Sequence, residues 1–150
     1  MKKLLIIFFV LIIMTCGKKG NAEQYLTEGA KCIEQGQYDK AIELYQQGIK
    51  LEPKSAMAYN LLGMAYRFEF NQTGDQKWRD KEIESFEKAI ELAPDFAVAL
   101  VNLGATYYYS GDKEKAAPYF KHALEVYPEH PEAEEIMQMI AEGEDFEKNE

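Results

Sequence analysis

The feature that most constrains this chain is a spacing that recurs three times ahead of a proline. Counting back from Pro53, Pro94 and Pro128, an aromatic residue stands eight positions upstream (Tyr45, Phe86, Phe120) and a small residue five upstream (Gly48, Ala89, Ala123). Farther upstream Gly29, Gly63 and Gly104 each precede by three an aromatic or small residue: Cys32, Tyr66 and Tyr107. Apolar residues three and four apart give each segment a helical stripe to bury. Each proline then ends its helix, because it has no N–H for the next turn and restricts the residue before it. A glycine inside a helix costs up to ~1 kcal/mol relative to alanine, so Gly63 and Gly104 imply close approach of a second helix. The pattern predicts three copies of one helical hairpin, with helices over 22–35, 38–51, 55–69, 77–92, 97–109 and 113–126.

Gly36 and Gly111 mark the turns inside the first and third hairpins. The second hairpin is seven residues longer, and the excess lies near 69–75, where Asn71 to Asp75 are turn formers and Asp75 can cap a helix starting at Gln76. Trp78, Glu82, Phe86 and Ile90 then fall four apart, so Trp78 is either core extended by one turn or an exposed anchor. A seventh helix is expected over 131–141, with Pro131 at its first turn, acids after it, and an apolar face of Ile136, Met139 and Ile140. It would cover the open end of the third hairpin. Residues 142–150 read as an acidic, solvated tail.

These residues resemble the tetratricopeptide repeat, a 34-residue helical hairpin. Residues 97–130 match its pattern at Leu100, Leu103-Gly104, Tyr107, Ala116, Phe120, Ala123 and Pro128. Residues 22–55 match at Tyr25, Gly29, Ala41, Tyr45 and Pro53, and depart at Glu28, Cys32 and Gly48. Residues 56–96 match at Tyr59, Leu62-Gly63, Tyr66, Phe86, Ala89 and Pro94, with Glu82 where the family has a small alanine. The resemblance implies an all-α, right-handed α-solenoid of three hairpins plus a capping helix. It also implies a concave groove lined by the first helix of each hairpin.

Carried over by repeat position, the groove takes Glu23, Leu26, Ala30, Ile33 and Glu34 from the first repeat. Met57, Asn60, Met64, Arg67 and Phe68 come from the second, and Val98, Val101, Ala105, Tyr108 and Tyr109 from the third. Within that set Met57, Asn60, Met64, Arg67, Phe68, Val98, Val101, Tyr108 and Tyr109 are the candidate partner-binding residues. Methionine adapts to irregular partners, and tyrosine and arginine concentrate binding energy. Chaperone-binding members of the family clamp a terminal carboxylate with lysine, asparagine and arginine, but here Leu26, Ala30, Leu61 and Val101 are apolar. Two structural alternatives stand beside a peptide site: Met57, Met64 and Phe68 pack between neighbouring first helices, or the C-terminal helix fills the groove.

Ahead of the repeats, Lys2 and Lys3 precede eleven apolar residues, Leu4 to Met14. A membrane-spanning helix needs about 20 such residues, while a secretory signal core of roughly 7–15 fits this run. Residues 1–15 therefore read as an export signal. Ile13-Met14-Thr15-Cys16 resembles the bacterial lipobox, with Thr15 where that motif has Gly, Ala or Ser. The resemblance makes Cys16 a lipidation site, residues 16–21 a tether, and the mature protein lipid-anchored in the bacterial cell envelope. Gly17 after the cysteine resembles the sorting signal for the outer membrane, facing the periplasm. The alternatives are a plain cleaved signal or a short uncleaved anchor.

Apolar residues at 47% and only five prolines place the chain outside the disordered class. Net charge is −9, and −11 without Lys2 and Lys3, when 15 basic residues face 26 acidic ones; residues 129–150 alone carry −8. No basic run offers a footing for a phosphate backbone, so nucleic acid is not an expected partner. Two histidines, His122 and His130, and two cysteines form no metal-ligand motif, and no Gly-rich phosphate loop or nucleophile motif is present. With Cys16 acylated, Cys32 has no disulfide partner. The expectation is a non-enzymatic protein without metal or cofactor: a scaffold for a protein or peptide partner, of the pilotin, assembly-factor or cell-wall-enzyme adaptor type. The alternative is a periplasmic small-ligand or cell-wall-fragment binding protein.

Overall fold

The computed structural model describes residues 20–147, with side chains through residue 144. The export signal, Cys16, most of the tether and the last three residues lie outside the described residues. Those described form seven helices and no strand: α1 (Ala22–Glu34), α2 (Tyr38–Leu51), α3 (Ala56–Thr73), α4 (Gln76–Leu92), α5 (Ala97–Tyr109), α6 (Lys113–Val126) and α7 (Ala133–Glu147). Each packs on the helix before it, so the chain is an α-solenoid of three hairpins and a seventh helix.

Local chemistry sets the ends. Asn21 and Gln24 exchange side-chain bonds in a capping box at the start of α1, at 2.8 and 3.0 Å. Ser55 and Asp75 cap α3 and α4. The three turns within hairpins use Gly36, Gly74 and Gly111 at φ of 70°, 69° and 90°, a left-handed conformation that only glycine adopts without strain.

Glycine also decides how the helices of a hairpin meet. A Cβ added at Gly29 would lie 2.4 Å from the Tyr45 ring, at Gly63 2.7 Å from Phe86, and at Gly104 2.8 Å from Phe120. All three rings are fully buried. The recurrent glycine and the recurrent aromatic are thus the two halves of one contact.

That contact explains the insertion. Gly63 to Gly74 is eleven residues where the other hairpins have seven, and Gly74 to Phe86 is twelve where they have nine. The excess divides as four residues on α3 and three on α4, about one helical turn on each. Both antiparallel helices lengthen together, which keeps Gly63 opposite Phe86. α3 therefore runs to Thr73, beyond the end at 69 expected from the sequence, and Asn71 to Thr73 are helical. The added turn has its own packing: Phe70 lies under the Arg79 guanidinium at 4.0 Å, and the Thr73 hydroxyl donates to the Glu69 carbonyl at 2.8 Å. It also buries Glu69 with Oε1 unpaired, and burial, then the neighbouring Asp39, pushes that carboxyl above its usual range. Trp78 is half-buried and stacks on Tyr66 at 5.7 Å, the core-extending role of its two alternatives.

α7 differs from expectation at both ends. It starts at Ala133 and continues through Glu147, well past 141. Residues 142–144 are not a solvated tail. Gly143 presses on α6, where a Cβ would lie 2.5 Å from the Lys113 carbonyl oxygen. Glu142 bonds Lys113 and Tyr108, and Glu144 pairs with Lys121. Ile136 joins Ala116 and Phe120 in one buried cluster, with Met139 and Ile140 against it. The helix packs on α6 as α3 does on α2 and α5 on α4, in the position of a fourth hairpin's first helix. It extends the row and does not lie along it.

At the first hairpin Cys32 is a buried free thiol, packed with Ala41, Ile42, Tyr45, Leu62, Ala65 and Tyr66.

Replacing Gly63 or Gly104 by alanine should destabilise the fold by about 1–3 kcal/mol through overpacking against a buried ring, although alanine's helix propensity is better by ~1 kcal/mol. Urea unfolding followed by circular dichroism measures the sign. A variant as stable as wild type would show that the rings move aside.

Candidate functional site

The first helices α3 and α5 lie side by side, bridged by Asn60 and Arg67 on α3 and Asn102 and Thr106 on α5. The candidate residues divide along this strip by what their side chains already do. Met57 and Val98, near the helix starts, are 50% and 51% exposed, and Tyr109, at the end of α5, is 70% exposed. These three are apolar surface open to solvent. Next to Met57 lies an apolar hollow of about 470 Å³, lined also by Ala56, Ala93, Pro94, Asp95 and Phe96.

Asn60 is buried. Its amide accepts from Asn102 Nδ2 at 3.0 Å, and its own Nδ2 points to the Met64 sulfur at 3.9 Å. Phe68 is half-buried, stacked face-on against Tyr38 of α2 at 5.1 Å, so it joins two hairpins. Val101 and Ala105 are half-buried against the Phe120 cluster. From the first repeat, Ile33 and Leu26 pack on the core, while Glu23, Ala30 and Glu34 are exposed.

Arg67 has the densest set of partners. Nε donates to Glu82 Oε1 at 2.7 Å, Nη1 to Asn102 Oδ1 at 3.1 Å, and Nη2 to the Asn102 carbonyl at 2.8 Å and the Thr106 hydroxyl at 3.0 Å. Glu82 is 0% exposed. Its other oxygen takes Arg79 Nη1 at 2.6 Å, and Thr106 donates to Oε1 at 2.7 Å. A carboxylate withdrawn from water is tolerated only when its charge is paired and its lone pairs are occupied, and here two guanidinium groups and a hydroxyl occupy them. The glutamate that stands in place of a small alanine is therefore the centre of a network that ties α3, α4 and α5. The sequence reading missed Arg79, Asn102 and Thr106. The signal for Arg79 was its position three residues before Glu82, one face of a helix.

Tyr108 is bound differently from its neighbour Tyr109. Its hydroxyl donates to Glu142 Oε2 at 2.6 Å, and Lys113 Nζ donates to the same oxygen at 2.7 Å. Lys113, then Tyr108, holds the Glu142 carboxyl down at about 2. The ring meets Phe120 edge-on at 6.5 Å. Tyr108 thus docks α7, whereas Tyr109 points outward.

On the side formed by the second helices, a cleft of about 850 Å³ opens between α2 and α4 over a floor of Tyr59, Leu62 and Tyr66. Gln46, Lys81, Glu84, Ser85, Glu87, Lys88 and Glu91 line its walls, and the Tyr66 hydroxyl accepts from Gln46 Nε2 at 3.0 Å. Among the described residues no group of three or more His, Cys, Asp or Glu could hold a metal ion.

Family models of one repeat match three stretches: one described as TPR repeat over residues 29–67, and two described as tetratricopeptide repeat over 74–96 and 97–130, together well over half of the chain. The chain belongs to the tetratricopeptide repeat family. Solved structures of similar fold include the first TPR of Spaghetti (RPAP3) bound to the HSP90 peptide SRMEEVD, at 24% identity and a TM-score of 0.67, covering 81% of this chain and 96% of that one. The MamA protein is 32% identical, with a TM-score of 0.61 over 73% of this tetratricopeptide repeat chain, which spans 56% of MamA. The TPR2B domain of yeast Sti1, in complex with pHsp70, is 21% identical with a TM-score of 0.70, covering 83% of this chain and 96% of that one. No curated protein sequence matches the chain.

Arg67→Ala should destabilise the fold by about 3 kcal/mol or more, because it leaves the buried Glu82 underpaired; a melting temperature equal to wild type would return Arg67 to the free surface. Glu142 carries a pH signature. Its folded value lies below that of an unperturbed glutamate, 4.5, so its contribution is present above that pH and is lost as pH falls toward about 2. Wild type should be more stable than Glu142→Gln at pH 6, and the two should converge by pH 2 in thermal melts.

Proposed function

We propose that this chain is a lipid-anchored protein-interaction scaffold of the bacterial cell envelope that binds an apolar peptide or helix of a partner on the concave strip of α3 and α5. The observation that carries the binding half is the exposure of Met57, Val98 and Tyr109 on a strip whose polar side chains bond one another. Contiguous exposed apolar surface marks interaction sites, and at the start of α3 Met57 adjoins Ala93, Pro94 and Phe96 in one hollow. The Spaghetti domain bound to an HSP90 peptide and the yeast Sti1 complex with pHsp70 support a peptide as the ligand class. Leu26, Ala30, Leu61 and Val101 argue that this partner presents apolar side chains and no terminal carboxylate at those positions.

The anchoring half rests on the N-terminus. Eleven apolar residues, Leu4 to Met14, followed by Thr15 and Cys16 support export and acylation, and Gly17 supports the outer membrane, facing the periplasm. Several acyl chains together give stable attachment, at about 0.8 kcal/mol per buried CH₂. Among the described residues no helix is long and apolar enough to cross a membrane. A pilotin, an assembly factor or an adaptor for a cell-wall enzyme has this layout.

A second reading has one observation in its favour. The cleft between α2 and α4 gathers Gln46, Ser85, Lys81 and Tyr66 on an aromatic floor, which suits a small polar ligand such as a cell-wall fragment.

Affinity capture from detergent-solubilised membranes, with Met57→Glu and Val98→Glu beside wild type, tests the binding reading. Both positions are exposed, so folding should be unchanged, and partner binding should weaken by at least about 1 kcal/mol. Exposed Glu43→Ala is the control. Equal capture by all variants refutes the strip as the site, and a melting shift with muropeptides alone would favour the cleft. For the anchor, wild type should incorporate labelled palmitate and Cys16→Ala should not; label in both, or in neither, refutes lipidation.

A further inference from the structure

The chain holds only two arginines among its 17 basic residues, and both line one cavity of about 310 Å³. Asn71, Ala105, Thr106 and Tyr109 complete the lining, with no acidic side chain among them. Glu82 neutralises one of the two positive charges and takes a single N–H from Arg79. Arg79 has no other hydrogen-bond partner among the described residues, although its side chain is only 12% exposed. Its Nε and Nη2 are not sealed in the interior either, since the one buried, unpaired polar side-chain atom among those residues belongs to Glu69. The ring of Phe70 closes the guanidinium from below at 4.0 Å.

A guanidinium fixed in place, largely desolvated, carrying unused donors and a surplus positive charge, is built to accept a planar anion through two parallel bonds. One arginine in bidentate contact would have served Glu82. The second brings charge into a wall of an otherwise acidic protein, beside an exposed tyrosine ring. We infer that this cavity is an anion subsite that takes a carboxylate of the ligand on the concave face. It rests on the scaffold reading only for the source of that carboxylate, an acidic side chain or a chain terminus. It stands apart from the apolar positions Leu26, Ala30, Leu61 and Val101, and the added turn of α3 contributes to it directly, with Asn71 in its lining and Phe70 beneath the Arg79 guanidinium.

The test uses the full chain in dodecyl maltoside micelles and follows the two arginine Nε–Hε resonances by nuclear magnetic resonance. The probes are N-acetylglutamic acid α-amide, with a side-chain carboxylate, N-acetyltyrosine, with a terminal one, and the neutral N-acetylglutamine amide. At least one carboxylate should shift the Arg79 signal saturably, the better binder identifying the source, while the neutral probe leaves it in place. Asn71→Glu, on the exposed rim and outside the Glu82 network, supplies a carboxylate from the chain itself. It should weaken probe binding about tenfold or more at an unchanged or higher melting temperature, and Asn71→Ala should bind as wild type. Equal shifts from neutral and acidic probes, no shift from either acid, or unaltered binding by Asn71→Glu each overturn the inference. The probes need no protein partner, so failure of the Met57 and Val98 capture experiment is read separately.

Discussion

Everything in this solenoid depends on a contact with no side chain on one half of it. Gly29, Gly63 and Gly104 let the rings of Tyr45, Phe86 and Phe120 lie directly on the backbone of the facing helix. The contact fixes both the distance between the helices of a hairpin and their axial register. It also limits how the chain can change length. Residues can be added to a hairpin only where both helices grow beyond the contact by nearly equal amounts, and hairpin two shows that solution.

Between hairpins a different chemistry operates. Glu82 sits where close packing would call for a small residue, and Arg67, Arg79 and Thr106 enclose it. Three helices from two hairpins are thereby joined by charge-assisted bonds in a desolvated setting, where such bonds are strong and their loss is costly. At the end of the row Tyr108, Lys113 and Glu142 make a smaller version of the same device, one carboxylate holding a tyrosine and a lysine across helices.

The helices and their pairing could be read from the sequence because periodicity and punctuation by glycine and proline are local properties. Glu82 could not. Its position looked like a packing fault, since the sequence does not say which side chains lie across from it. Repeat position told which face Asn60, Arg67 and Tyr108 occupy, but not that hydrogen bonds to Asn102, Glu82 and Glu142 already occupy them. Asn71 to Thr73 looked like a loop by residue type, whereas the contact of Phe70 with Arg79 gives them helix. The acidic end of α7 looked solvated by composition, and the space beside Gly143 brings its acids within reach of Lys113 and Lys121. Of the nine groove candidates, Met57, Val98 and Tyr109 are left with exposed apolar surface.

The extra turn of α3 and α4 has a steric consequence for anything lying on the concave face. The turn at Gly74 projects past those at Gly36 and Gly111 by roughly one helical pitch, about 5 Å. The rim of the solenoid is therefore stepped, with α5 ending at Tyr109 short of its neighbour. Because α3 and α5 lie side by side, the extra turn raises a wall along one flank of that rim beside Asn71, so a segment lying on the end of α5 is bounded on its α3 side.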